Sequence, residues 1–443
     1  MSQVASGLLS LGVKPGQWVG LMLPRTPDLA VAFLAIVRVG AVAVPINHKL
    51  QTKWIEAQLQ GISTIVGDPA LASVLPPSVS GERRPVSCAE LIDAGAGSVQ
   101  PAHSSTADTV CYLNCTSGST GRPKRAVTTH EQILANARAT VQASSQRPDD
   151  VFWCLFAPFA HPHEFFHRSL VSGAAFVMID TMSPRVVTRV VSHHAVSHML
   201  VLPGFAELWL DSGHLADVRD DLRLIEAGGS VVTPELHQRM GAALSGTFAA
   251  VWGSTETTGV ALTSSGQGGE ILDGYALQVI DEVGHPVPQG EVGELCLGGP
   301  AVVSSYGTSA EDEASPFGNG WFRTGDLVRV DPDGRVHILG RRSTLLKVGG
   351  ERVYPAEVER VLREHAQVHD AVVVGVADRR RGEVPVAAVV AASDLAADPG
   401  SLQRHCRARL AAHKIPRRIV LLGELPRLPS GKVDRQAVVA LLS

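Results

Sequence analysis

The chain has 443 residues and a mass of 46.8 kDa, enough for two to four domains at roughly 100–200 residues each. Its 45% hydrophobic and 19% charged residues exclude an intrinsically disordered chain. A formal net charge of −4 excludes the global basic field that attracts nucleic acid. The charge is uneven, however. From Arg341 onward 18 Lys/Arg stand against 11 Asp/Glu, while residues 1–340 carry 21 against 32. A basic end module on an acidic body fits a lid over an anionic group; a solvated face without a partner fits it equally. Six cysteines without a CxxC pair suggest a reducing compartment. The opening MSQVASGLLSLGVKPGQ has no signal-peptide pattern. The apolar run Leu29 to Ile46 is broken by Arg38, Gly40 and Pro45, so it reads as a buried helix entering a strand rather than a membrane span. A soluble cytoplasmic protein with no nucleic-acid or membrane partner is expected.

Along the chain, WVGLML reads as a strand, TPDLAVAFLAIVRVG as a capped helix and AVAVPI as another strand. Apolar strands alternating with helices imply a mostly parallel sheet covered on both faces. The pattern returns at VFWCLF, AAFVMI, HMLVLP and LRLIEAGG, with PELHQRMGAAL as a following helix. From about residue 276 the texture becomes short strands and turns, and DPDG (331–334) is a hairpin signal. A last α+β unit of about 100 residues begins near 342: strand, helix (PAEVERVLREH), two strands (AVVVGVA, VPVAAVVAA), helix (SLQRHCRARLAAH). The expected fold is α/β: a large N-terminal domain of layered sheets with flanking helices and a β-rich end at about 276–341, then a small mobile α+β domain at 342–443.

The most informative segment is YLNCTSGSTGRPKRAV, residues 112–127. A strand feeds Thr116, Ser117, Gly118, Ser119, Thr120, Gly121 and Lys124. Glycines let backbone N–H groups approach phosphate oxygens, while hydroxyls and the lysine supply donors and charge. The Walker pattern GxxxxGK[ST] is absent.

TSGSTGRPK resembles the phosphate loop of the adenylate-forming superfamily, which includes acyl- and aryl-CoA ligases, peptide-synthetase adenylation domains and luciferases. Four further segments agree in order: WGSTE (252–256), WFRTGD (321–326), GRRSTLLKVGGERVYPAEVE (340–359) and LPSGKVDR (428–435). The resemblance, closest to the acyl/aryl-CoA ligases, covers nearly the whole chain. It implies ATP-dependent activation of a carboxylic acid, aryl or medium-chain acyl, to an adenylate with release of pyrophosphate. A thiol then forms the thioester: CoA, or the phosphopantetheine of an acyl carrier protein. By the same resemblance Thr116, Ser117, Thr120 and Lys124 cradle the phosphates, with Gly118, Ser119 and Gly121 shaping that loop. Glu256 holds Mg2+ and Thr255 donates to the α-phosphate. Trp252, followed by Gly253 and Ser254, offers a face to adenine beside Gly228 and Gly229. Asp326 accepts from the ribose hydroxyls with Arg341 in the same region. Lys432 places its ammonium on the developing charge. His161 gates the acid pocket, which Phe165, Phe166 and Gly228 line or back. Ser343 stands at the hinge, and Gly349 and Gly350 line the thiol passage.

A second motif competes. His163-Glu164-Phe165-Phe166-His167 spells HExxH, and Pro162 could open a helix there. Two histidines at i and i+4 with a glutamate between them are the zinc site of a metallohydrolase; no third ligand stands nearby. Another alternative keeps the nucleotide machinery and adenylates a non-carboxylate oxyanion such as nitrite, for diazotisation of an aryl amine.

Three departures from the family pattern bear on these expectations. The chain begins inside what is normally a second helix, which would expose an edge and favour a homodimer. The hinge position, usually aspartate or lysine, is Ser343. Pro162 replaces the aspartate that binds an α-amino group, which speaks against amino acid substrates.

Overall fold

The computed structural model describes residues 1–76, 84–96, 103–116, 124–266, 268–307, 315–392, 397–427 and 433–442. The chain divides into two compact units, Met1–Leu277 with Leu297–Phe322, and Gln278–Cys296 with Arg323–Ser443.

The first unit holds two sheets. One comprises β1 (Trp18–Met22), β2 (Val42–Pro45), β3 (Thr64–Gly67), β4 (Val110–Thr116) and β5 (Lys124–Thr129), in the order β3-β1-β2-β4-β5. The other comprises β6 (Val151–Cys154), β7 (Ala175–Val177), β8 (His198–Val201), β9 (Leu224–Ala227), β10 (Thr247–Ser254), β11 (Gly259–Ser264) and β12 (Glu270–Ile271), in the order β12-β11-β10-β9-β8-β6-β7. Both are parallel through their centres and end in antiparallel pairs, β4 with β5 in one, β10 with β11 and β11 with β12 in the other. The β8 and β2 strands are buried at every position, as both-face coverage requires.

The helix Pro27–Arg38 shows how sequence drives this packing. Thr26 has extended backbone before it and Pro27 opens the first turn, where a missing N–H costs nothing. Leu29, Ala30, Ala32, Phe33, Ala35 and Ile36 are buried, a stripe at helical spacing. Phe33 meets Tyr112 of β4 at 5.6 Å and Phe166 at 5.4 Å between ring centroids. Each such ring contributes about 1.5–3 kcal/mol through burial.

In the second unit, Val368–Asp378 and Gly382–Ala391 form a long antiparallel pair, with Arg418–Leu422 added in parallel. The helices Pro355–Arg363 and Pro399–Arg407 supply Val358, Leu362, Leu402 and Cys406 to its core. The same unit contains, from Arg323 onward, the hairpin of Trp321–Val330 with Val336–Arg341, paired from Val330↔Val336 to Asp326↔Arg341. DPDG turns it: Gly334 has φ +81° and donates to the Asp331 carbonyl at 3.0 Å. The α/β layering expected from the sequence is therefore present. The second unit takes in Gln278–Cys296 and the stretch from Arg323 as well as residues 342–443.

Candidate functional site

In the first unit, the ladder of β4 and β5 ends with Thr116 opposite Lys124. Ser117, Gly118, Ser119, Thr120 and Gly121 lie outside the described residues. The Lys124 ammonium sits over the Tyr306 ring, 5.3 Å from its centroid. Tyr306 in turn donates its hydroxyl to Glu256 Oε1 at 2.6 Å. Two residues 132 positions apart in the chain thus share one aromatic side chain. Tyr306 is held there by a bridge to Ala126 of β5 and by a ring contact with Phe317 at 5.0 Å. Nothing in the local sequence around Tyr306 marks it.

Thr255 and Glu256 occupy a single 3-10 turn, Thr255–Thr257, that opens with Ser254. Ser254 Oγ accepts from Thr257 N while Thr257 Oγ1 accepts from Ser254 N, a reciprocal cap that fixes the turn. The main chain of Glu256 is pinned by Val303 N at 2.9 Å. Trp252 is half-buried on β10. Gly228 follows β9 so close to β10 that a Cβ would stand 2.9 Å from the Val251 carbonyl oxygen, which requires glycine there. Gly229 follows, exposed, with φ +84°. Lys124, Thr255, Glu256, Trp252, Gly228 and Gly229 are therefore carried on strand ends or the turns that follow them.

His161 is half-buried and precedes a 3-10 turn, Pro162–Phe165. Its Nδ1 lies 3.4 Å from Asn114 Nδ2, and its ring stands 5.8 Å from that of His163. Phe165 and Phe166 are fully buried; Phe165 lies under the Arg25 guanidinium at 5.8 Å, and Phe166 packs on Phe33. Both are core side chains with almost no exposed surface.

The HExxH segment is not one helix. His163 and Glu164 belong to the 3-10 turn, and the α-helix His167–Ser172 starts only after Phe166. His163, Glu164 and His167 do come together, with one ligand-type atom of each within 4.8 Å of the others. All three are buried, and a guanidinium already occupies the carboxylate: Arg168 Nε is 3.3 Å from Glu164 Oε2, and Arg168 also binds Glu226 of β9. Burial opposes the charge on Arg168, but the Glu226 and Glu164 carboxylates outweigh it and raise its pKa. Burial lowers the pKa of His163, and pushes that of His167 well below the ordinary value, where His163 and Arg168 add to it. His163 Nε2 binds the Thr258 carbonyl at 2.9 Å and His167 Nε2 the Asn136 amide oxygen at 3.2 Å. A buried cation pressed on the glutamate leaves no base and no opening for a zinc-bound water. Arg168 and Glu226 were both visible in the sequence, directly after HExxH and directly before Ala227-Gly228-Gly229. Their pairing across 58 residues was not.

In the second unit, Asp326 and Arg341 face each other in the hairpin, Arg341 Nε lying 2.8 Å from Asp326 Oδ1. Asp326 is buried and Arg341 exposed, with Arg341 Nη1 also donating to the Thr324 carbonyl. Ser343 lies exposed in a 3-10 turn, Arg342–Thr344. Gly349 and Gly350 form the two-residue turn between Leu346–Val348 and Glu351–Val353, with φ +60° and +89°. Two positive φ values in a hairpin turn suit glycine, so this turn explains them independently of any thiol passage. Lys432 lies outside the described residues.

Comparison with known proteins agrees with the motifs. The family profile described as AMP-binding enzyme matches residues 1–307, and that of its C-terminal domain matches residues 357–432. A feruloyl-CoA synthase from Amycolatopsis sp is 31% identical, over 98% of this chain and 90% of its own. The salicyl-AMP ligase/salicyl-S-ArCP synthetase of Mycobacterium tuberculosis is 30% identical over 99% of this chain and 83% of its own. Among solved structures, ATP-bound MatB from Rhodopseudomonas palustris matches with a TM-score of 0.91 at 25% identity, covering 99% of this chain and 91% of that one.

Proposed function

Because the chain belongs to the AMP-binding enzyme family, we infer that it is an AMP-forming acid–thiol ligase. It activates a carboxylic acid with ATP and passes the acyl group to a thiol. A carboxylate oxygen attacks the α-phosphorus and pyrophosphate leaves. The thiol sulfur then attacks the adenylate carbonyl carbon, its proton is lost and AMP leaves.

The observation that carries this reading is the meeting of Lys124 and Glu256 on Tyr306. An ammonium and a carboxylate held beside a strand end suit a polyphosphate and its counter-ion. Thr116, Ser117, Thr120 and Lys124 would take the phosphate oxygens, with Gly118, Ser119 and Gly121 shaping the loop. Glu256, with one oxygen held by Tyr306, would hold Mg2+, which when bound neutralises phosphate charge. Thr255 would donate to the α-phosphate, Trp252 would lie against adenine beside Gly228 and Gly229, and Asp326 and Arg341 would serve the ribose. Lys432 would stabilise the developing charge on the α-phosphate, and His161 would stand at the acid. Ser343 as hinge and Gly349 and Gly350 at the thiol complete the assignment.

CoA is the favoured thiol and a carrier protein the second, with a homodimer and a cytoplasmic location as the remaining parts of this reading. Among the described residues no helix is long and apolar enough to cross a membrane. ATP–pyrophosphate exchange with pooled aryl, fatty, short-chain and amino acids tests the reading. Exchange with an aryl or fatty pool is the expected result. Silence with every pool, from folded protein that binds ATP, overturns it, and nitrite-stimulated AMP release would then identify another oxyanion.

A further inference from the structure

Behind His161, three buried side chains hold polar atoms without a hydrogen-bond partner among the described residues. Tyr112 and Asn114 stand two positions apart on β4 and so point to the same face; each is 1% exposed. Tyr112 Oη and Asn114 Oδ1 are both unpartnered. The fully buried His163 ring packs against Tyr112 at 5.2 Å between centroids, tilted by 65°. His163 Nε2 lies 2.9 Å from the Thr258 carbonyl oxygen, which can only accept. Nε2 therefore carries the proton and Nδ1 presents a lone pair. That Nδ1 is unpartnered as well.

A buried polar atom left unpaired costs free energy that folding does not recover. The three residues are linked, Tyr112 to His163 by their ring contact and Asn114 to His163 through His161, so one polar partner would serve them together. His161 touches both sides of this nest, at Asn114 and at His163, and of the four residues it alone is half-buried rather than buried. His161 is thus the one of the four that stands between this nest and the surface.

We propose that this nest receives a hydroxyl or amino substituent on the ring of an aryl acid, which is the acid this chain activates. The inference rests on the acid-activating reading of the site. A ring hydroxyl can donate to Asn114 Oδ1 or His163 Nδ1 and accept from the Tyr112 hydroxyl; a ring amine can donate to both acceptors. An unsubstituted ring leaves all three atoms unpaired. A second carboxylate, having no proton to give at neutral pH, meets two acceptor lone pairs. A trapped water could satisfy the same atoms, since two to four polar partners are what a buried water needs; the substituent would then bring no advantage.

The test is ATP–pyrophosphate exchange with matched acids: benzoate and cinnamate, their ring-hydroxylated and ring-aminated isomers, and a ring dicarboxylate. The best hydroxy or amino isomer should exceed its unsubstituted parent in kcat/KM by on the order of 10- to 100-fold, with the dicarboxylate poorest. Tyr112→Phe and Asn114→Leu should each bring that ratio toward one. Unsubstituted acids that exchange as well as substituted ones, or a ratio unmoved by both variants, overturn this inference while acid activation stands. No exchange with any acid overturns acid activation itself, and the inference with it.

Discussion

Tyr306 joins Lys124 to Glu256: its ring carries the ammonium at 5.3 Å and its hydroxyl binds the carboxylate at 2.6 Å. The two charged residues come from different sheets, β5 and the turn after β10. They are fixed relative to each other by a residue that no motif names.

Tyr306→Phe keeps the ring beneath Lys124 and removes the hydrogen bond that orients Glu256. A hydrogen bond to a charged group contributes about 1.5–3 kcal/mol. The apparent KM for Mg-ATP in pyrophosphate exchange should therefore rise roughly 10-fold or more, and excess magnesium should recover part of the loss. An unchanged KM would separate Tyr306 from the phosphate site.

Lys432→Ala should leave the fold intact and slow adenylation by on the order of a hundredfold or more, as removal of an electrostatic clamp does. The thioester step, started from supplied adenylate, should suffer much less. Equal losses in both half-reactions would contradict the role given to Lys432.

Arg168→Met removes the guanidinium from between Glu164 and Glu226 and leaves two buried carboxylates with no counter-charge. Breaking a buried ion pair from one side costs about 3–5 kcal/mol. The urea midpoint should fall accordingly, and replacing both glutamates by glutamine in the Arg168→Met background should restore much of it. A midpoint within error of the parent would show that the triad bears little of the fold's stability.

His163 and His167 are held neutral in the folded state, with pKa values lowered first by burial and facing Glu164 and Arg168. In the unfolded chain they bind protons near pH 6.5, so below that pH the unfolded state holds more protons than the folded one. Their contribution to stability is present above about pH 6.5 and is lost as the pH falls toward the folded-state values. Tm should drop between pH 7 and pH 5, and His167→Phe should make that slope shallower. An identical slope in the variant would assign the acid sensitivity to other groups.

Much of this protein was written locally. Strands such as Trp18–Met22 and His198–Val201 and the helix Pro27–Arg38 follow from apolar spacing and end signals within a few residues. The motifs behind the nucleotide reading were equally local, since each puts its glycines, hydroxyls or charge into one short stretch of sequence. Even Asp326 and Arg341 could be placed in one region, since a single hairpin carries both.

What the chain alone left open is whatever depends on contacts between distant segments. HExxH spells a zinc site in one dimension, and only packing shows that Arg168 and Glu226 convert it into a buried ion-paired core. Phe165 and Phe166 could line a pocket or fill a core; the neighbours Arg25 and Phe33, more than 130 residues earlier, decide for the core. Tyr306, Tyr112 and Asn114 carry no signature at all, because their contacts arise from what the folded chain sets beside them. Periodicity and motif spacing record the short-range physics of the backbone and its turns. Buried charge, unpaired polar atoms and shared aromatic contacts arise from burial, which exists only once the sheets have packed.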